Sequence, residues 1–130
     1  MSKIIKVESS KAPAALGPYS QAVEAGDFVF CSGQISPKGS LKEQTTEVLK
    51  NLENILKSAG SQIDRVVKTE VYLKNMNDFE EMNKVYAEFF GSKKTKIKPA
   101  KPARVTVEVA RLPKDALIEI SCTAYKNNKK

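Results

Sequence analysis

The chain reads as an α+β domain: a mixed sheet of five or six strands with two helices laid on one face. Three observations predict it. Two segments, Leu41 to Ala59 and Phe79 to Phe90, repeat apolar residues at helical spacing. Several short stretches alternate apolar and polar residues with the two-residue period of a strand. The second helix sits between two such stretches, so residues 65–109 form a strand–helix–strand unit whose strands run parallel through a right-handed crossover.

Taken in order, residues 1–8 alternate loosely and predict a first strand, and residues 9–17 a loop. Tyr19–Glu24 and Phe28–Ser32 flank Ala25-Gly26-Asp27, where a tight reversal needs its turn residues, so the pair predicts a hairpin. Ser40 opens the first helix with Glu43 three residues on, a capping box. Leu41, Val48, Leu49, Leu52, Ile55, Leu56 and Ala59 make its apolar stripe, and Gly60 takes the position after the C-cap. Arg65–Lys74 alternates, with Val67, Thr69, Val71 and Leu73 on one side. Asn77 is the expected cap of the second helix, with Phe79, Met82, Val85, Tyr86, Phe89 and Phe90 as its apolar face and Gly91 as its stop. After a loop over 92–102, Ala103–Ala110 is a strand with Val105, Val107 and Val109 on one face and Arg104, Thr106 and Glu108 on the other. Leu117–Tyr125 is the last strand, and 127–130 is a basic tail expected to fray. Two helices cover only one face of such a sheet. The uncovered face, expected to carry Arg104, Thr106 and Glu119, asks for a partner copy.

At 130 residues the chain is one domain's worth, 1–130. No apolar run approaches the roughly 18 residues of a membrane span, and no apolar leader precedes the first strand, so the expected home is the cytoplasm and no membrane partner is expected. There is no histidine, which removes Ser-His-Asp and Cys-His catalysis and His-ligated zinc. Cys31 and Cys122 belong to no Cys-x-x-Cys pair, so neither a metal nor a cofactor is expected. The net charge of +7 is localised in Lys93, Lys94, Lys96, Lys98 and Lys101 and in the terminal Lys129 and Lys130; without these seven the charges balance. Such runs are usually solvated, and their other use is attraction of phosphate or RNA. No aromatic residue interleaves them to stack on bases.

Five places carry candidate chemistry. Arg104, inside a strand, either pairs with Glu108 or Glu119 or presents a fork for a substrate carboxylate. Glu119, expected on the same face, either completes that ion pair or orients a water. Tyr19, in Gly17-Pro18-Tyr19-Ser20, is either a packed ring or a phenolic donor. In Ser32-Gly33-Gln34, Gly33 points to a close backbone approach or a positive φ, while Ser32 has no base beside it to make it a nucleophile. Asn83 is a polar residue within the apolar stripe of the second helix, which either caps a neighbouring backbone group or faces the site. Together they read as a small-acid site that uses no metal, cofactor or histidine.

Four segments then resemble one family in order: residues 12–22 (APAALGPYSQA), 31–35 (CSGQI), 77–86 (NDFEEMNKVY) and 102–115 (PARVTVEVARLPKD), the last running on into Ile118-Glu119-Ile120. The chain resembles the RidA (YjgF) family of imine/enamine deaminases over nearly its whole length. The resemblance implies a chorismate-mutase-like fold assembled as a homotrimer, with three ligand clefts between subunits. It implies cofactor-free hydrolysis of 2-imino acids and of 2-aminoacrylate, released by pyridoxal-phosphate enzymes, to 2-keto acids and ammonia. It assigns Arg104 to the substrate carboxylate, Glu119 to the attacking water, and Tyr19, Ser32, Gly33 and Asn83 to the cleft wall. Thr106 takes a substrate-side position where many members have cysteine, and Lys101 stands where many have an apolar residue. Relatives described as ribonucleases or translation inhibitors keep nucleic acid as the alternative partner, and a carboxylate-binding trimer without turnover is a third reading.

Overall fold

The computed structural model describes residues 3–91 and 101–126; the lysines at 93–98 and the tail at 127–130 lie outside the described residues. Helix α1 (Leu41–Ser58) starts where its capping box predicts: Ser40 Oγ accepts from the Glu43 amide at 3.1 Å, and the Glu43 carboxylate accepts from the Ser40 amide at 2.8 Å. It ends at Ala59, and Gly60 turns away at a φ of 77° that a side chain would resist. The stripe of α1 is the core: Leu49, Leu52, Ile55 and Leu56 are fully buried against Val29, Val71, Leu73, Ile118 and Ile120 of the sheet. Each buried Leu or Ile contributes roughly 1.5–3 kcal/mol.

Among the described residues the sheet has six strands: β1 (Ile4–Val7), β2 (Ala22–Ala25), β3 (Phe28–Gln34), β4 (Val66–Leu73), β5 (Ala103–Glu108) and β6 (Ile118–Tyr125). Their spatial order is β1-β2-β3-β6-β4-β5. The β4–β5 pair is parallel, as the strand–helix–strand unit predicts, and the remaining pairs are antiparallel. Helix α2 (Phe79–Phe90) buries Met82, Val85 and Tyr86. It does not begin on an Asn77 cap. A short 3₁₀ turn, Met76–Asp78, precedes it, and Asn75 Oδ1 accepts from the Asn77 amide at 2.9 Å. Gly91 does stop α2, with ordinary negative φ.

The sides of β5 are the reverse of the expected ones. Arg104 and Thr106 lie on the face that the helices cover, whereas Val105 and Val107 stand on the uncovered face, 45% and 38% exposed. The register requires it: Arg104 neighbours Thr69 and Thr106 neighbours Val71, both fully buried under the helices. Alternation tells which residues share a face but not which face is covered. Glu119 stays on the uncovered face, between the buried Ile118 and Ile120. That face also holds Phe28, Phe30 and Val67, all exposed, and a chain of polar contacts in which Ser121 Oγ donates to Glu70 at 2.6 Å and Lys68 approaches Glu70 at 3.6 Å.

Two bulges shape the sheet. One shifts β4 against β6 between Val66 and Lys68, which turns Val67 outward. The other shifts β3 against β6 between Cys31 and Gln34, so Ser32 and Gly33 share the space opposite Ser121. Just before it, Cys31 lies directly across the ladder from Cys122, and both thiols are buried. The hydrogen bond between them and burial push the Cys122 thiol well above its usual range.

Candidate functional site

The sequence-predicted groups fall into two clusters. The first lies between β5 and α2. Arg104 is half-buried there. Its Nη1 donates to Asn83 Oδ1 at 2.9 Å, and its guanidinium carbon stands 4.9 Å from the Tyr86 ring centre and 5.6 Å from that of Phe79. Two ring faces and one amide thus fix the cation through π-attraction and a charge-assisted bond. Neither predicted ion pair forms: Glu108 accepts instead from the Met76 amide at 2.8 Å, and Glu119 is on the other side of the sheet. Among the described residues no carboxylate pairs with Arg104. Asn83 therefore has a definite partner, and its place in an apolar stripe is explained. Tyr86 is itself held by a 2.7 Å hydrogen bond with Thr69 Oγ1. Burial raises the Tyr86 phenol pKa, against the pull of that bond and of the Arg104 charge. Thr106, two residues along β5 on the same side, has a buried hydroxyl with no hydrogen-bond partner among the described residues.

The second cluster surrounds the β3 bulge. Ser32 is pinned to the preceding loop: its amide donates to Gln21 O at 2.9 Å and its hydroxyl to Ser20 O at 2.6 Å. With its hydroxyl so engaged, Ser32 has the geometry of an anchor. Tyr19 is half-exposed, and its hydroxyl accepts from the Leu16 amide at 3.2 Å. Tyr19 and Gly33 line a small cavity of about 40 Å³ with Pro13, Leu16, Gln21 and Ile35. The Glu119 carboxyl lies against Gly33. It has no hydrogen bond or ion pair among the described residues, and burial raises its pKa above the ordinary carboxylate value.

Three residues that build these clusters went unnoticed as such in the sequence. Gln21 is buried and ties the loop to the sheet: it accepts from the Ser9 amide at 2.6 Å and donates to Pro13 O at 2.7 Å. Its signal was a long amide at the head of a strand, next to a proline-containing loop that needs its backbone groups satisfied. Phe79 and Tyr86 belong to the apolar face of α2, yet they are also the walls of the Arg104 cluster. Their signal was an aromatic pair on a helix that packs beside an arginine-bearing strand.

The class is thus defined by one mixed sheet, two helices on one side of it, and two candidate clusters on opposite faces. A family model described as endoribonuclease L-PSP matches residues 9–126. A RutC family protein of Pyrococcus horikoshii is 51% identical over 134 residues, covering 97% of this chain and 99% of its own. The chloroplastic reactive intermediate deaminase A of Arabidopsis thaliana is 44% identical over 127 residues, 91% of this chain and 64% of the relative. Among solved structures, the YjgF gene product of E. coli superposes with a TM-score of 0.85 at 37% identity, over 94% of this chain and 98% of that one. TdcF of E. coli, solved with bound serine, gives 0.85 at 35% identity, over 94% and 98%. The chain belongs to the RidA (YjgF) family.

Proposed function

We propose that the protein is an imine/enamine deaminase that hydrolyses 2-iminopropanoate, 2-iminobutanoate and the 2-aminoacrylate type of enamine to 2-keto acids and ammonia. The observation that carries this reading is Arg104: a half-buried guanidinium held by rings and one amide, with no carboxylate partner among the described residues. Asn83 occupies Nη1, which leaves the other side of the fork for a substrate carboxylate. Charge-assisted bonds of that kind contribute roughly 1.5–3 kcal/mol each. The serine bound by TdcF is a small amino acid of the matching chemical kind.

The reaction asks little of the protein. Protonation at the methylene carbon converts 2-aminoacrylate to the imine. Water adds to the imine carbon, its proton passes to nitrogen, and the carbinolamine expels ammonia as the carbonyl forms. Orientation and proton handling suffice, with no strong nucleophile. Glu119, with a pKa raised by burial and no hydrogen-bond or ion-pair partner among the described residues, supports the role of accepting and returning the water's proton. Thr106 offers an unused hydroxyl beside the carboxylate fork, and Tyr19 a phenol at the mouth of the other cluster. Because Arg104 and Glu119 face opposite sides of one sheet, the reading requires that Arg104 of one copy meet Glu119 of another, as in a homotrimer with clefts between subunits. The exposed Phe30, Val105 and Val107 give the uncovered face the apolar character such contact needs.

The test is keto-acid formation from enzymatically generated 2-aminoacrylate, measured against the uncatalysed rate. Acceleration by the wild type that falls at least about 100-fold in Arg104→Ala, with assembly unchanged, is the expected result. No acceleration by an assembled wild type rejects the reading for this substrate. The endoribonuclease description of the family model favours action on RNA as a second reading. Salt-sensitive RNA binding that is lost when the loop lysines are replaced is its signature.

A further inference from the structure

We propose that Gly33 is a positioning residue for Glu119: the side chain it lacks is the space in which the Glu119 carboxyl lies. This rests on the reading of Glu119 as the group that handles the attacking water, and it adds the device that sets where that group points.

The backbone does not demand glycine here. Gly26, Gly39 and Gly60 have positive φ, and Gly33 is not among them. Gly26 and Gly60 are the converse case: a Cβ at either would meet nothing within 4 Å, so conformation alone calls for glycine. At Gly33 the conformation suits any residue, and the obstacle is a neighbour. A Cβ there would collide with Glu119 Oε2 and stand 2.8 Å from its Cδ and 3.0 Å from its Cγ. The atoms met are the far end of a flexible side chain on the uncovered face. A methyl group at 33 would therefore turn the carboxyl aside while leaving the sheet in place. The bulge between Cys31 and Gln34 leaves Gly33 opposite Ser121, two residues along β6 from Glu119.

The charged and titratable groups near Glu119 come from β4 and from the loop that precedes β2. Tyr72 is its partner across the ladder on β4, and Glu70 with its Lys68 lies further along the same face. On β3, Ser32, Gly33 and Gln34 carry none, and the loop contributes Tyr19 beside Gly33. Burial is the cause of the raised carboxyl pKa, and packing against a bare backbone is the geometry that produces such burial.

The experiment compares Gly33→Ala, Glu119→Gln and the double variant. Expected is a fall in kcat of about 100-fold for Gly33→Ala with KM little changed, the size of a general acid–base contribution. The double variant is expected to be no slower than Glu119→Gln alone, since a displaced carboxyl and an absent one are equivalent. Wild-type kcat in Gly33→Ala, or losses that multiply in the double variant, overturn the proposal. Carboxyl NMR titration supplies an arm independent of turnover. The Glu119 pKa should stand above the ordinary value in the wild type and return towards it in Gly33→Ala; an unchanged pKa overturns the proposal. Should the wild type show no deaminase activity, the functional reading fails and this titration alone decides the role of Gly33. Should Gly33→Ala not fold, Gly33→Ala/Glu119→Ala removes the colliding group and is expected to fold; failure of that variant also overturns the proposal.

Discussion

The β5–α2 cluster and the β3-bulge cluster solve opposite problems. Arg104 is a charge brought beside a core, and everything around it serves to hold it: Asn83, the rings of Phe79 and Tyr86, and behind them Thr69. Glu119 is a carboxyl without a partner among the described residues, set against bare backbone on the uncovered face. A fixed cation is suited to binding, because its geometry is settled before a ligand arrives and little entropy remains to be lost. An unpartnered, partly desolvated carboxyl is suited to exchanging protons, because its two protonation states lie closer to balance at neutral pH. On the proposed deaminase reading, one sheet separates a gripping half from a proton-handling half by putting them on its two faces, and each half is incomplete within one chain.

The largest test of that division is complementation. Arg104→Ala and Glu119→Ala variants, each inactive alone, should regain activity when unfolded and refolded together. Random assortment gives roughly a quarter of the wild-type activity, because that share of clefts receives both intact halves from different subunits. No recovery in verified mixed assemblies would mean that both groups act from one chain.

A smaller effect sharpens the contrast in how the two groups are held. Asn83→Ala removes one charge-assisted bond to Arg104, worth roughly 1.5–3 kcal/mol, and should raise KM by about tenfold or more. kcat should change much less, since Glu119 is untouched. A kcat loss at constant KM would move Asn83 to the proton-handling half.

The smallest effect concerns pH. The folded-state pKa of Glu119 is raised by burial, so folding favours its protonated form. Its stability contribution is fully present below the unfolded carboxylate value and is lost as pH rises through the folded one. Glu119→Gln should therefore show a slightly higher Tm than wild type at pH 7, with the gap closing towards pH 4. Partial exposure keeps the shift small. A lower Tm at pH 7 would show that the charged carboxylate has a stabilising partner in the assembly.

The elements of the fold were legible because each follows from local chemistry. The Ser40–Glu43 box, the stripe of α1 and the alternation of β6 are self-contained signals, and the parallel β4–β5 pair follows from connectivity. The site was legible only as a set of residues. Reading Arg104 and Glu119 onto one face failed because β5 lies at the sheet edge, where the valines that look like core face outward and the arginine faces α2. The bulge at Ser32–Gly33 is signalled locally only by a glycine inside a strand pattern, since its position arises from the register of β3 against β6. Asn77 looked like a cap for α2 because Glu80 follows it at capping-box spacing, but a 3₁₀ turn had already begun at Met76.

The position of β6 has a consequence for how the molecule is made. It is the last strand in sequence and yet lies in the middle of the sheet, between β3 and β4. Until it is in place, β3 and β4 each present an unpaired edge, and their sheet pieces share no ladder. Closing the sheet is therefore a late, long-range event that pairs Phe28 with Tyr125, the kind of contact that slows folding. Glu119 rides on that strand, so its placement against Gly33 comes into being only when the sheet closes. A chain cut short before Ile118 would carry Arg104 and its rings but expose two adhesive edges, and its fate would be aggregation.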